Sequence, residues 1–190
     1  MKKIILSILL LSFCATFAFS QDYAVDKGSF WLTGMASFAS QGGDLYKDAE
    51  DNRITTFSLA PNVSYFVARN VFIGAGITWT RTSQGDYSEH IFGIGPHVGY
   101  AFGNAESKVY PYIGAGFQFG SGGESWDGFD YKITGTQITI GAGVILPVKE
   151  HFAVVIEIGY IFHSMKGEDW DERESGNILA IGIGLAGFIF

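Results

Sequence analysis

Between Thr55 and Trp79 the sequence alternates with a period of two, and this alternation constrains the fold more than any other feature. Large apolar residues occupy one parity on both sides of a short break at 68–70, and they are Phe57, Leu59, Val63, Tyr65, Val71, Ile73, Ala75, Ile77 and Trp79. Successive side chains of a β-strand point to opposite faces, so each arm is predicted to be a strand with one apolar face. Each arm has roughly the ten residues that a tilted strand needs to cross a bilayer. The pattern therefore predicts a membrane hairpin.

The beginning of the chain has the organisation of a secretory signal peptide. A basic pair, an apolar run and a small-residue cleavage site follow one another before Gln21. Cys14 is an alternative lipoprotein anchor, but Phe13 before it is bulky where such a site needs a small residue. We therefore predict a signal peptide over residues 1–20 and a mature barrel domain over 21–190, which contains no cysteine for a disulfide.

Composition narrows the fold of an exported chain of this kind. It has 47% hydrophobic residues, 26 glycines and a formal charge of −7, and loss of the leader's two lysines makes it more acidic still. Beyond the leader there is no apolar run of the ~20 residues that a membrane helix needs. A closed barrel crosses a membrane without one, because its strands satisfy each other's backbone groups. The acidic charge disfavours nucleic acid as a partner. A soluble periplasmic sandwich or lipocalin-like barrel is the alternative, since its strands also alternate.

Eight segments of the chain carry the alternation, and we place them at 29–39, 53–66, 71–81, 89–102, 109–120, 133–146, 152–164 and 177–190. Short breaks follow the even-numbered segments. Longer polar stretches follow the odd-numbered ones, around 40–52, 82–88, 121–132 and 165–176. Short periplasmic turns alternating with long extracellular loops are typical of outer-membrane barrels. We therefore predict an all-β protein, an eight-stranded antiparallel up-and-down transmembrane β-barrel, with both termini on the periplasmic side.

Parity also predicts which side chains face lipid. The apolar parity of the later strands includes Phe92, Ile94, Val98, Ile113, Phe117, Ile138, Ile140, Val154, Ile156 and Ile158. The opposite parity collects most strand glycines, and an eight-stranded barrel has just enough interior for side chains to fill, so we predict a plugged lumen. Aromatic residues near strand ends predict interfacial girdles, and they are Trp31, Tyr65, Trp79, Tyr100, Tyr110, Tyr112, Tyr160 and Phe162.

Two features conflict with regular strands. Pro61, Pro96 and Pro111 lie inside predicted strands, and a closed barrel has no free edge to accommodate a missing donor. We therefore predict bulges or ladder ends at these prolines. In the last strand the apolar parity changes between Leu185 and Phe188, which predicts a bulge near 186–187.

Several blocks of the sequence resemble the small outer-membrane β-barrel proteins, the group with OmpX-like proteins and the OmpA membrane domain. The string PNVSYFVARNVFIGAGI resembles the family hairpin "P-x-V-G-Y-F-V … N … G", and FGIGPHVGYAFG, VYPYIGAGFQFG and FAVVIEIGYIF resemble later hairpin arms. The resemblance covers about residues 29–190. It implies that the terminal Phe190 is the C-terminal signal that the outer-membrane assembly machinery recognises. That machinery and the lipids of the outer membrane are then the expected partners of a monomer.

Three polar residues are predicted to form an interior layer. Glu157 is the one acid on the inward parity of a strand core, and His97 is the other ionisable group there. Both lie about as far from the nearest periplasmic turn as Asn62 does. Interior polar groups need hydrogen-bond partners, so we expect Asn62, His97 and Glu157 to form a structural hydrogen-bonded plug. A proton or ion path through them is the alternative.

Most of the acidic residues lie in the predicted extracellular loops: Asp44, Asp48, Glu50, Asp51, Asp86, Glu89, Glu124, Asp127, Asp130, Glu168, Asp169, Asp171, Glu172 and Glu174. Clustered carboxylates suit divalent cations, but their spacing fits no EF-hand. A solvated, mutually repulsive outer surface is the favoured interpretation. A surface ligand that binds the acidic loops is a further candidate partner. We expect no cofactor and no bound metal.

The sequence favours a structural or surface-interaction role in the outer membrane. A small porin-like channel is the main alternative, although eight strands leave little lumen. A lipid A-modifying enzyme is a weaker alternative, based on His163 and Ser164 near the outer leaflet. Adjacent strand residues point to opposite faces, so these two cannot act together as nucleophile and base. We therefore predict that the protein is not an enzyme.

Overall fold

The computed structural model describes residues 24–43, 48, 50–104, 106–126, 129–168 and 172–189. Several predicted features lie outside these residues: the signal peptide with Cys14, the assembly signal Phe190, and the loop acids Asp44, Asp127, Asp169 and Asp171.

Eight antiparallel strands form one closed barrel in sequence order. They are β1 (Phe30–Gln41), β2 (Ile54–Ala68), β3 (Val71–Gln84), β4 (Tyr87–Ala101), β5 (Tyr110–Trp126), β6 (Phe129–Lys149), β7 (Phe152–Gly167) and β8 (Glu174–Ile189). The ring closes by pairing of β1 with β8. Each strand follows its neighbour up or down, so the predicted eight-stranded antiparallel up-and-down barrel is confirmed. Within the described part of the chain, no helix is long and apolar enough to cross a membrane.

The strands are staggered around the ring. If one starts at Trp31 and moves on each strand to the residue paired directly with it on the next strand, one arrives at Ile178 on β8. Trp31 itself pairs with Phe188, which is ten residues further along β8. With strands about 4.8 Å apart and rising about 3.3 Å per residue, this stagger corresponds to a strand tilt of roughly 40°. The tilt lies in the range of transmembrane barrels.

The two ends of the barrel differ. At one end, which we call the turn end, β2 and β3 are joined by 69–70, where Asn70 has a φ of 68°, and β6 and β7 by 150–151. At the opposite end, which we call the loop end, β3 and β4 pair as far as Gln84 and Tyr87. β5 and β6 pair there as far as Trp126 and Phe129. The predicted loops at 82–88 and 121–132 are therefore wrong in extent, because backbone pairing continues where the apolar alternation has stopped.

Exposed and covered side chains alternate along each strand. The outward parity carries the predicted apolar residues, among them Ile94 at 50% exposed, Ile113 at 52% and Ile140 at 57%. We call these outward apolar residues the apolar band. Between the apolar band and the loop end, outward positions are polar, as at Arg81, His90 and Ser164. The glycines of the opposite parity line the interior. One face thus suits lipid, and the other holds small residues.

The prolines interrupt hydrogen-bonded ladders without shifting the register. Pro61 pairs with β1 but leaves a two-residue gap towards β3, and Pro96 pairs with β3 but leaves a similar gap towards β5. Of the predicted bulges or ladder ends, no bulge occurs at these two prolines, and each one interrupts a single ladder instead. Proline lacks a backbone N–H, and the strand tolerates this loss towards one neighbouring strand because its pairing with the other neighbouring strand continues. Pro111 lies at the end of the β4–β5 ladder, as predicted. A bulge occurs instead between Pro147 and Lys149.

The predicted bulge near 186–187 in β8 is also wrong. β8 pairs regularly with β1 and β7 through this stretch. Leu185 points outward and is 55% exposed, whereas Phe188 points inward and is 3% exposed. The apolar residues of β8 switch from the outward to the inward face because the barrel interior is apolar at the turn end.

Candidate functional site in the barrel lumen

A cluster of buried apolar side chains lies inside the barrel at the turn end. Its buried members are Ala24, Val25, Trp31, Phe66, Phe72, Ala101, Tyr110, Tyr112, Ile145, Ala153, Val155, Ala186 and Phe188. Trp31 packs edge-on against both Phe72 and Tyr112, with ring centroids 5.2 and 5.1 Å apart. We call Trp31, Phe72 and Tyr112 the aromatic floor. The girdle prediction is wrong for Trp31, Tyr110 and Tyr112, because they lie on the inward parity at the turn end.

The chain before β1 contributes to this cluster. Val25 is fully buried, and its carbonyl oxygen accepts a hydrogen bond from the Asn70 N–H at 2.9 Å. The Gly28 N–H donates to the Phe66 carbonyl oxygen at 2.8 Å, and the Phe66 N–H donates to the Ser29 carbonyl oxygen at 2.9 Å. Residues 24–29 are thereby attached to the end of β2 and to the β2–β3 turn.

Above the aromatic floor the lumen contains a cavity of about 890 Å³. All eight strands contribute to its wall. Much of the wall is glycine, alanine, serine and threonine, which leave the interior unfilled. Larger apolar side chains among the lining residues are Met35, Ile91, Ile133, Ile161, Met165 and Ile178. Large buried side chains therefore lie at the turn end, and the rest of the described lumen contains this cavity. The plugged lumen stays a prediction.

The three predicted interior residues all line this cavity. Their hydrogen bonds, however, go to other residues. His97 Nε2 lies 2.7 Å from Ser64 Oγ, and Asn62 Nδ2 donates to the Ala60 carbonyl oxygen at 3.2 Å. Glu157 Oε2 accepts a hydrogen bond from the Tyr112 hydroxyl. The single polar layer stays a prediction.

Sequence reasoning missed the roles of Ser64 and Tyr112. Both lie on the inward parity and are buried, so their parity was a signal that could have identified them. Tyr112 joins the aromatic floor to Glu157, because its ring packs on Trp31 while its hydroxyl donates to the carboxylate.

His163 and Ser164 lie on opposite faces of β7, as their adjacency predicts. His163 lines the cavity. Ser164 Oγ instead accepts a hydrogen bond from Arg173 Nε at 3.2 Å. These two side chains therefore form no nucleophile–base pair with each other. Within the described ranges, no group of three or more histidine, cysteine or acidic residues is placed to hold a metal ion.

Two acids face each other on the loop-end extension of the barrel. Glu89 on β4 pairs directly with Glu124 on β5, beyond the apolar band. Burial, together with the opposing Glu124 carboxylate, raises the pKa of Glu89, although His90 acts in the opposite direction. Burial and the same two acids raise the pKa of Tyr87 to about 12. The rim of the lumen is thus a site of carboxylate repulsion.

Replacing Glu124 with glutamine should make stability less sensitive to pH. A raised pKa means that folded Glu89 keeps its proton where the unfolded chain, with a pKa near 4.5, has released it. The stabilisation is therefore present below that pH and is lost as the pH rises through the folded pKa. Between pH 4 and pH 7 we expect the free energy of unfolding to fall more in the wild type than in E124Q. The difference should be less than about 1 kcal/mol, because the two carboxylates are partly exposed and solvent screens their repulsion.

Urea unfolding midpoints measured at several pH values test this difference. E106Q is the control, because Glu106 is exposed in the β4–β5 turn. Identical pH profiles for wild type and E124Q would show that the two acids do not interact.

A family model described as "Outer membrane protein beta-barrel domain" matches residues 6–186 of the chain. No curated protein sequence matches it. Three solved structures have a similar fold. Neisserial surface protein A is 20% identical with a TM-score of 0.55, covering 86% of this chain and 100% of that one. OprG from Pseudomonas aeruginosa is 13% identical with a TM-score of 0.55, covering 89% and 99%. Outer membrane protein W from E. coli is 15% identical with a TM-score of 0.54, covering 87% and 99%.

Proposed function

The chain belongs to the outer membrane protein beta-barrel domain family, and from this premise we propose that it is a monomeric, non-catalytic barrel that conducts no ions and meets other molecules through its extracellular surface. The turn end lies in the periplasm and the acidic loop end lies outside the cell. In the proposed route, the leader directs export. The assembly machinery then recognises Phe190 and inserts the barrel among outer-membrane lipids.

One observation carries the absence of conductance: the apolar cluster at the turn end. Its members at the aromatic floor are between 3% and 6% exposed. Trp31, Phe72 and Tyr112 pack on one another by edge-to-face contacts, which is a favourable arrangement of aromatic rings. An ion would have to lose its water to pass such a cluster, and desolvation of a charge is costly.

The loop end supports a role at the cell surface. Glu89, Glu124 and Glu174 lie at the rim of the lumen, beyond the apolar band. A rim of this charge repels anions and attracts cationic partners. The structural neighbour named as a surface protein has the same fold, which is consistent with this role without identifying a ligand.

The cavity above the aromatic floor favours a second candidate function, a small channel. Planar-bilayer recording separates the two functions. We expect no stable conductance steps from the wild type. A variant with Trp31, Phe72 and Tyr112 all replaced by alanine should conduct, because the three packed rings of the aromatic floor are then absent.

A matched variant with three outward aromatic residues, Tyr65, Tyr100 and Tyr160, replaced by alanine should stay silent like the wild type. Heat-modifiable migration on a gel establishes that each variant has folded. Stable steps from the folded wild type would overturn the proposal in favour of the channel.

A further inference from the structure

The lumen cavity has a carboxyl group at its base. Glu157 and Glu174 are the acids that line it, and no lysine or arginine is among its described lining residues. Glu174 lies at the loop-end limit of β8, whereas Glu157 lies well inside the barrel, beside the aromatic floor. A carboxylate in such a place is stabilised by a cationic partner, and the basic side chains of the described cavity wall are the histidines His97 and His163, with no lysine or arginine.

The carboxylate of Glu157 belongs to the cavity wall, and two glycines lie beside it. Oε2 accepts the Tyr112 hydroxyl, which fixes the orientation of the carboxylate. Oε1 lies beside Gly141 and Gly159, where added Cβ atoms would be 3.9 and 4.0 Å from it. Because both neighbours are glycines, neither places a side chain beside Oε1.

The rest of the cavity suits an apolar body. Its volume of about 890 Å³ lies within the usual range of about 300–1,000 Å³ for small-molecule sites. Met35, Ile161 and Ile178 supply apolar wall, and methionine adapts its shape to different ligands. Glu89 and Glu124 at the rim attract positive charge towards the opening.

From this combination we infer that the lumen is a binding site for an apolar organic monocation, with the cationic group paired to Glu157 and the hydrocarbon part against the methionine and isoleucine wall. A neutral hydrocarbon leaves Glu157 unpaired, and an organic anion is repelled by it. The site therefore selects by charge as well as by size. This binding is separate from conductance, because the aromatic floor lies at the base of the cavity.

Methionine methyl groups provide the test. The chain has three methionines, of which Met35 and Met165 belong to the mature domain and both line the cavity. The protein is labelled with ¹³C-methyl methionine, reconstituted in phosphatidylcholine nanodiscs and titrated with phenyltrimethylammonium. Its neutral isostere tert-butylbenzene and the anion 4-tert-butylbenzoate are titrated in parallel.

We expect the cation to shift the Met35 signal saturably and to bind roughly tenfold or more tightly than either comparison compound. E157Q should weaken the cation by roughly tenfold while changing tert-butylbenzene little. E150Q is the matched control, because Glu150 is exposed in the β6–β7 turn, and it should bind the cation like the wild type.

Three results would overturn the inference: no saturable shift with the cation, equal affinity for the cation and tert-butylbenzene in the wild type, or unchanged cation affinity in folded E157Q. The comparison of the three compounds on the wild type stands even if E157Q does not fold. Bilayer recording on the same preparation reports separately on the proposed closed barrel.

Discussion

Replacing Phe66 with alanine should lower the free energy of unfolding by about 3–5 kcal/mol, the usual cost of removing a buried phenyl ring. Phe66 is 0% exposed and packs edge-on against Phe72, with ring centroids 5.6 Å apart. Its backbone also holds the chain before β1 through Gly28 and Ser29. The alanine variant therefore leaves a cavity in the cluster at the turn end, where surrounding side chains and strands cannot collapse freely.

Urea unfolding of the reconstituted barrel, followed by heat-modifiable migration on a gel, measures this loss. Phe119 provides the control, because it is 63% exposed on the lipid-facing parity. F119A should lose about half as much free energy as F66A, since lipid fills the vacated space and only the transfer term remains. Equal losses in the two variants would show that the turn-end cluster is not tightly packed.

Replacing Gly95 with alanine should also destabilise the barrel strongly, by at least about 2–3 kcal/mol. A Cβ atom on Gly95 would overlap the backbone carbonyl oxygen of Phe117 and would come within 2.7 Å of the Gln118 Cα. The obstacle is backbone of the neighbouring strand, so a side-chain rotation cannot relieve it. β4 and β5 approach closely here, at the gap in their ladder beside Pro96.

Gly120→Ala on β5 is the matched substitution for Gly95→Ala. Its Cβ would have no neighbour closer than 3.7 Å, which is ordinary contact. Refolding yield into vesicles and the urea midpoint should fall for G95A and stay near the wild-type values for G120A. A G95A barrel as stable as G120A would mean that β4 and β5 can separate at little cost.

The alternation of apolar and small side chains along each strand predicts much of the fold. A strand between lipid and a narrow lumen needs apolar residues on one side and small residues on the other. Ile94, Ile113 and Ile140 were therefore assigned to the outer face correctly. Parity does not identify the inward face where both faces are apolar, as at Trp31 and Phe188, because the alternation then has no contrast. It also does not identify the strand ends beyond the bilayer, where strands continue to Trp126 and Phe129 by backbone bonding alone.

The interior site was predictable only in part. Parity placed Asn62, His97 and Glu157 in the lumen, and the structure has all three lining the cavity. Their partners depend on the stagger between distant strands, which sequence spacing does not specify. Ser64 meets His97 from β2 to β4, and Tyr112 meets Glu157 from β5 to β7.

The sequence by itself determined the strand number, the antiparallel order and the outer face, because each follows from side-chain period and turn placement along the chain. The tertiary structure decided the ten-residue stagger, the packing of the apolar cluster around Trp31 and the cavity above it. These depend on contacts between residues far apart in the chain. The alternation that began at Thr55 specified two neighbouring strands, and closure of the whole ring was needed to bring Glu157 beside Tyr112.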